Sequence, residues 1–207
     1  MMNAKNCCAF VRVVQSNNGW IKPCGLDYGH GNHFASGSGF GFEEWMNSPL
    51  MEVESGKQLI HIEAFRIGFN SKNMGKPLYL WVYSKPKNLP SRKFLVGVIK
   101  NYRVLLEDEV QKFISENNII RKLQDSIKNI ENLDSRIINS ASETIEKKLK
   151  CKKEKKFNLL VDKKDIKILP KVEWIELPSN VFRHKRFVAY FKWNEPLSRF
   201  LQNNINY

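Results

Sequence analysis

The N-terminal half of the chain consists of short apolar runs separated by polar turns. The run at 7–15 is short and rich in β-branched residues, which predicts a buried strand. Similar runs at 58–66, 78–83 and 93–100, with an extension through 102–105, predict further strands, because turns rich in Asn, Ser, Lys and Pro separate them. This half of the chain is therefore expected to form a sheet.

The C-terminal half begins with a helical period. Its acidic first turn, Glu107 to Glu109, suits the positive end of a helix dipole, and apolar residues then recur at helical spacing. A second helix is predicted at about 133–149. Apolar runs at 172–177 and 187–193 predict strands that return to the first sheet.

A long segment between these patterns, Ser16 to Gly41, has neither the period of a strand nor that of a helix. It is dominated by Gly, Asn, Ser and His but is interrupted by aromatic residues. Loops longer than roughly 15 residues are uncommon in compact domains and usually serve a function or are disordered. The aromatic residues favour a functional loop, since disordered linkers seldom carry so many.

Composition and charge narrow the class of protein. With 207 residues, of which 42% are hydrophobic, the chain can form one α+β domain over 1–207, with a helical and lysine-rich insertion at about 107–171. The net charge is +13, and it is uneven: 146–171 carries eleven lysines against four acidic residues, whereas 1–56 has a net charge of −2. This surplus indicates a polyanionic partner, nucleic acid above all, although a solvated lysine-rich surface has the same composition.

The cellular context is predicted from what the chain lacks. It has no run of roughly 18–20 apolar residues and no apolar signal segment before Arg12, so neither a membrane span nor secretion is expected. Its four cysteines are irregularly spaced, which favours reduced thiols over a disulfide framework. We therefore expect a cytoplasmic protein without a membrane partner.

Motifs for cofactor or metal chemistry are weak. The glycines of 37–41 match neither the G-x-G-x-x-G nor the G-x-S-x-G pattern. His30 and His33, with Cys24 upstream, lack the second ligand pair typical of a zinc site. No cofactor, metal ligand or catalytic residue is therefore assigned.

The strongest chemical pattern is aromatic. Proteins that inspect a flipped base stack it between aromatic or apolar side chains and read its edge with a few hydrogen-bonding groups. The residues predicted to bind a base are Trp20, Tyr28, Asn32, His33, Phe34, Phe40, Phe42, Glu44, Trp45, Trp81 and Tyr83. For any single aromatic residue among them, a place in the hydrophobic core is the simpler interpretation.

Basic residues in three clusters, and others near the predicted strands, are expected to contact the phosphate backbone. They are Lys85, Lys87, Lys100, Arg103, Lys152, Lys153, Arg183, Lys185 and Arg186. Two other functions fit the same sequence. One is a metal-dependent nuclease that uses Glu43, Glu44, His33 and His61, and the other is a protein-interaction factor whose amphipathic region, Glu107 to Leu149, binds a partner helix.

Three segments resemble a known group of modules. Ser38 to Met46, with its Gly-Phe-Gly-Phe-Glu-Glu-Trp block, Leu78 to Tyr83, and Phe94 to Leu105, with its Val-Gly-Val-Ile-Lys-Asn run, are similar to N-terminal modules of bacterial HNH-type, modification-dependent restriction proteins. Members of that group commonly have histidine where Ser38 and Phe42 stand.

These modules look related to the PUA-like group that includes the EVE and YTH domains. The resemblance implies a PUA-like small β-barrel with flanking helices, into which the helical pattern at about 107–171 would be inserted. It also implies that an aromatic pocket holds a modified, flipped base of double-stranded DNA. Such a reader would work in a restriction or defence system, beside a separate nuclease or NTPase effector.

Overall fold

The structure is a computed structural model that describes residues 8–13, 15–23, 42–62, 77–84, 92–130, 135–151, 157–179, 182, 188–191 and 200. Its strands, in chain order, are β1 (Cys8–Arg12), β2 (Glu52–Glu54), β3 (Lys57–Ile60), β4 (Leu78–Ser84), β5 (Arg92–Ile99), β6 (Arg103–Val104), β7 (Leu159–Asp162), β8 (Ile166–Ile168), β9 (Ile175–Glu176) and β10 (Val188–Phe191). The α-helices are α1 (Glu107–Glu116), α2 (Ile119–Lys128) and α3 (Ser135–Lys150), and short 3-10 helices lie at Phe42–Trp45, Pro49–Met51, Lys163–Asp165 and Lys171–Glu173. This mixture of helices and sheets confirms the predicted α+β class.

The strands form two sheets. Sheet A has the order β10-β1-β4-β5-β8, with β9 also paired to β5, and sheet B has the order β2-β3-β7-β6. In sheet A, β1 and β4 are parallel, and the other pairs of both sheets are antiparallel. Among the described strands no pairing joins one sheet to the other, so this part of the chain shows two sheets and not the closed barrel that was expected.

Sheet B is buried on both faces. In β3, Leu59 packs towards the helices while Ile60 packs towards sheet A, because successive side chains of a strand point to opposite faces. Its neighbour β7 alternates in the same way, with Leu160 on the helical side and Leu159 and Val161 on the side of sheet A. The central strands of sheet B therefore join two hydrophobic cores.

The three α-helices cover sheet B with their apolar sides. Their buried residues are Val110, Ile114, Ile119, Leu123, Ile127, Ala141, Ile145 and Leu149. The acidic start of α1 is as predicted, and the Glu109 carboxylate accepts a hydrogen bond from the backbone N–H of Leu106 at 2.9 Å. The apolar sides of the described helices thus pack on the chain's own sheet B. A partner helix would need such a side to be exposed.

Sheet A has a second apolar face, which points away from sheet B. We call it the outer face, and it consists of Phe10, Tyr79, Trp81, Leu95 and Val98. Leu177 and Phe182, from the segment that begins at β9, pack over it. The molecule is thus layered as helices, sheet B, sheet A and a covering segment.

The stretch at 107–171, predicted as a helical and lysine-rich insertion, also contributes strands to both sheets. The helices end at Lys150, and the same stretch then supplies β7 to the middle of sheet B and β8 to the edge of sheet A. Of the strand predicted at 172–177, only the two residues of β9 are strand, and the stretch begins inside the 3-10 helix Lys171–Glu173. Within the described ranges, no helix combines the length and the apolar character that a membrane crossing requires.

Candidate nucleic-acid interface

The three tryptophans predicted to bind a base are buried in three separate hydrophobic clusters. Trp20 lies in the core between the sheets, Trp45 in the core between sheet B and the helices, and Trp81 on the outer face of sheet A. The layers of the fold separate the three indoles. These residues therefore cannot form one aromatic pocket.

Trp45 connects the 3-10 helix Phe42–Trp45 to helix α2. Its indole Nε1–H donates to the Ser126 hydroxyl at 3.0 Å, and this hydroxyl donates in turn to the Leu123 carbonyl at 2.8 Å. The ring of Phe42 lies 6.1 Å from that of Trp45, and both belong to the helical core. The Glu-Glu-Trp block thus has a packing role at Trp45, with its polar atom satisfied inside the protein.

The acidic residues of that block are also buried. Glu43 and Glu44 are both almost completely inaccessible, and the nearby buried His61 has its ring 5.9 Å from that of Phe42. All three make interactions within the protein. Across the described ranges no three His, Cys, Asp or Glu side chains are grouped so that they could hold a metal ion. The nuclease alternative gains no support from this part of the chain, and His33 lies outside it.

Trp20 occupies an unusual backbone conformation. Its φ is +61°, following Gly19 at +70°, and a bulky residue in this left-handed region costs about 1–2 kcal/mol. Hydrogen bonds hold it there: Trp20 N–H donates to the Ser16 hydroxyl at 3.0 Å, and Asn47 N–H donates to the Trp20 carbonyl at 2.8 Å. The Trp20 turn is thereby fixed to the turn that follows Trp45.

Trp81 differs from the other two tryptophans in its polar atom. It is fully buried, and its Nε1–H has no hydrogen-bond partner in the described part of the chain. Its immediate surroundings are aromatic: the Phe182 ring meets it edge-on at 5.2 Å, and Phe10 lies 5.0 Å from Phe182 and 5.1 Å from Tyr79. The Trp81 N–H is therefore an unsatisfied donor that is buried among the aromatic rings packed on the outer face.

Positive charge borders this aromatic group. Arg12 is the register partner of Trp81 on the parallel strand β1. On β5, Lys93 donates from Nζ to the Phe182 carbonyl at 3.0 Å and lies 5.5 Å from the centre of the Phe182 ring. The arrangement suits a flat ring that has a hydrogen-bond acceptor and carries negative charge nearby.

Sequence reasoning named Trp81 but missed its neighbours. Phe10, Tyr79 and Phe182 complete the aromatic group, and Arg12 and Lys93 border it. The alternation of β4, which places Tyr79 and Trp81 on one face, was the available signal. The contribution of β1 and of the covering segment depends on strand pairing, which the sequence does not reveal.

The remaining predicted residues are placed as follows. The backbone of Tyr83 lies in β4 opposite Lys93, Arg103 forms an ion pair with Glu109, and Lys100 directly follows β5 with its side chain half-buried. Those outside the described residues are Tyr28, Asn32, His33, Phe34, Phe40, Lys85, Lys87, Lys152, Lys153, Arg183, Lys185 and Arg186. Their predicted roles stay predictions.

The Val-Gly-Val-Ile-Lys-Asn run has a structural explanation. A Cβ on Gly97 would lie 2.5 Å from the Lys167 carbonyl, so β8 can pair with β5 only where that side chain is absent. Asn101, at φ +44°, takes a left-handed conformation that Asn tolerates well, and its side-chain amide donates to the Asp165 carboxylate at 3.0 Å. Both residues serve to dock β8 and the turn before it.

Comparisons with known proteins do not identify the chain. No family model matches its sequence, no curated protein matches it, and no solved structure matches it. The functional interpretation therefore depends on the geometry described above and on the resemblance of the three sequence segments.

Proposed function

We propose that the chain is a nucleic-acid-binding module that captures a flipped, modified base of double-stranded DNA. In this proposal it is related to the PUA-like group. It acts as a reader in a restriction or defence system, beside a separate nuclease or NTPase effector.

The unpartnered indole N–H of Trp81 is the observation that supports this proposal most. A buried donor without a partner costs about 1–3 kcal/mol, so native proteins seldom keep one without a reason. A nucleobase has acceptor atoms at its edge and two π faces, so it would satisfy the N–H and stack on the surrounding rings. The same atom of Trp45 is already satisfied by Ser126.

The covering residue Phe182 gives the proposal a concrete mechanism. Its ring packs against both Phe10 and Trp81. A base that enters the outer face takes the place of this ring and restores the lost aromatic contacts with its own. In the same step Lys93 exchanges its hydrogen bond to the Phe182 carbonyl for one to a phosphate.

Binding measurements with matched duplexes test the proposal. The wild-type chain is titrated with otherwise identical duplexes that contain cytosine, 5-methylcytosine, 5-hydroxymethylcytosine or N6-methyladenine, at several salt concentrations. We expect salt-dependent binding with a preference for one modified duplex. Absence of binding to every duplex would contradict the proposed capture of a base from double-stranded DNA, and equal affinities would reduce the chain to a general polyanion binder.

Two variants locate the base. Trp81→Phe keeps an aromatic ring and removes the N–H, and we expect it to reduce the preference for the modified duplex about tenfold, the equivalent of one hydrogen bond. Trp45→Phe is the control, because its N–H is used inside the protein, and it should leave the preference unchanged. The reverse pattern would move the base from the outer face to the Glu-Glu-Trp block.

A further inference from the structure

The 3-10 helix Lys171–Glu173 exposes an aliphatic side chain almost completely. Val172 is 94% exposed, which is more than Leu106 at 70% or Ile21 at 47%, the other exposed large hydrophobic residues in the described part of the chain. A single exposed apolar residue needs no explanation by itself. The way in which this one is held gives it significance.

The turn that carries Val172 is fixed at its base. Leu169 N–H donates to the Val96 carbonyl of β5 at 2.8 Å, and the Trp174 indole N–H donates to the Leu169 carbonyl at 3.1 Å. Between these points, Glu173 N–H donates to the Pro170 carbonyl at 2.8 Å, and the proline ring restricts its own φ. These hydrogen bonds fix the backbone of the turn on both sides of Val172.

Trp174 anchors the turn to the rest of the fold. Its ring lies 6.1 Å from Phe94 of β5 and 6.1 Å from Trp20. The contact with Trp20 places the turn beside Ile21, which is half exposed. Val172 thus projects from a rigid aromatic base.

Lysine accompanies this projection. Lys171 directly precedes Val172, is exposed, and holds its Nζ 6.0 Å from the centre of the Trp174 ring. Lys22 is exposed next to Ile21, on the turn that Trp20 brings against Trp174. Glu173, on the other side of Val172, is exposed as well, so Lys171 and Lys22 leave a net charge of +1 around the aliphatic tip. An aliphatic tip with net positive charge beside it is complementary to a duplex, which has apolar base faces between rows of phosphates.

We infer that Val172 is a wedge that enters a base step of double-stranded nucleic acid while Lys171 contacts an adjacent phosphate. Proteins that open or bend a duplex commonly insert an apolar side chain between neighbouring bases, at the cost of unstacking them. A rigid turn suits this role, because its conformation is already fixed before binding. The inference depends on the proposed nucleic-acid function and assigns it a second contact, separate from the outer face.

Duplexes that contain 2-aminopurine test the wedge, because the fluorescence of this base rises when it unstacks. Wild-type chain should bind and increase the fluorescence. Val172→Ser should lower the affinity about tenfold and abolish most of the fluorescence increase. Leu106→Ser, which removes another exposed aliphatic side chain, 70% exposed and outside the Val172 turn, should change neither.

Lys171→Gln tests the phosphate contact separately. It should reduce the slope of log affinity against log salt by about one, while the fluorescence increase at saturating protein is kept.

The outcomes separate this inference from the proposed function. If the wild type binds duplexes and Val172→Ser binds with equal affinity and equal fluorescence, the wedge is wrong while the nucleic-acid function stands. If the wild type binds no duplex, the proposed function fails and the wedge fails with it. A change of oligomeric state in Val172→Ser, measured by sedimentation, would instead assign the tip to a contact between two copies of the chain and overturn the wedge.

Discussion

Trp45 and Trp81 are both fully buried, but the two regions differ in whether buried polar atoms have hydrogen-bond partners. On the helical side of sheet B, the N–H of Trp45 is paired with Ser126, and the buried side chain of Asn158 is bound to backbone groups. On the outer face of sheet A, the N–H of Trp81 has no partner in the described part of the chain. Two equally buried tryptophans therefore differ in whether their polar atom is satisfied within the described residues.

Asn158 gives the strongest test of the satisfied side. Its side chain accepts from Ile62 N–H at 3.1 Å and donates to the Ile62 carbonyl at 2.8 Å, both in the interior. Asn158→Ala should leave both backbone groups unsatisfied and lower the free energy of unfolding by about 2–4 kcal/mol, measured by urea denaturation. Asn129→Ala, which removes an exposed amide at the end of α2, should change it by no more than about 0.5 kcal/mol.

If Asn158→Ala proves as mild as Asn129→Ala, hydrogen-bond satisfaction does not stabilise the helical side. The contrast between Trp45 and Trp81 would then lose its basis.

The two tryptophans can be compared directly by substitution with Phe. Both variants leave a small cavity, but only Trp45→Phe also removes a hydrogen bond. We expect it to lower the free energy of unfolding by about 2–3 kcal/mol and Trp81→Phe by about 1–2 kcal/mol. The order of these effects is opposite to the order expected for discrimination between duplexes.

Ser126→Ala completes the comparison. Combined with Trp45→Phe, it should show a coupling free energy of about 1 kcal/mol, because the two side chains share one hydrogen bond. The same serine change combined with Trp81→Phe should be additive. Coupling to Trp81 and none to Trp45 would contradict the assignment of Ser126.

Gly97 tests the pairing of β5 with the edge strand β8 in sheet A. In Gly97→Ala, the new Cβ would lie 2.5 Å from the Lys167 carbonyl, so β8 has to move away from β5. We expect a loss of about 1–3 kcal/mol and faster hydrogen exchange of the backbone amides in β8. Exchange in β3 and β7 of sheet B serves as the internal control and should stay slow. Uniformly faster exchange would mean that the two sheets do not respond separately.

The sequence predicted some elements because their patterns were local. Strands β4 and β5 were found from long apolar runs, and the helices from their period and the acidic first turn of α1. Strand β7 was missed because its three apolar residues, Leu159 to Val161, lie inside a lysine-rich run and are buried on both faces, which removes the alternation of a half-exposed strand.

The candidate site shows the same limit. Aromatic residues close together in sequence suggested one pocket, but Trp20 and Trp45 pack in different layers because tertiary contacts decide which side of a sheet a side chain reaches. Trp81 was named from its strand, whereas the group around it is assembled from β1, β4, β5 and the covering segment. The pairing of β1 with β4 brings Phe10 to it, and the packing of the covering segment brings Phe182.

The ion pair between Glu52 and Lys163 is expected to have the smallest effect. It links β2 of sheet B to the 3-10 helix after β7, and its hydrogen bond, with a second one from Gly56 N–H, holds the pKa of Glu52 below its ordinary value of 4.5. A carboxyl group with a lowered pKa in the folded state stabilises the fold above its ordinary pKa, and this contribution is lost as the pH falls through the folded value.

Glu52→Gln should therefore lower Tm slightly at pH 7, since both partners are well exposed and solvent screens their attraction. The difference from wild type should shrink as the pH falls below 4.5 and vanish once the pH lies below the lowered pKa that Glu52 has in the folded state. It should also shrink at pH 7 in 1 M salt, because the Debye length falls to about 3 Å. Glu143→Gln, on the exposed side of α3 with no ion pair in the described part of the chain, is the control. A Tm difference that persists in acid would show that β2 and the 3-10 helix after β7 are held together there by packing and not by charge.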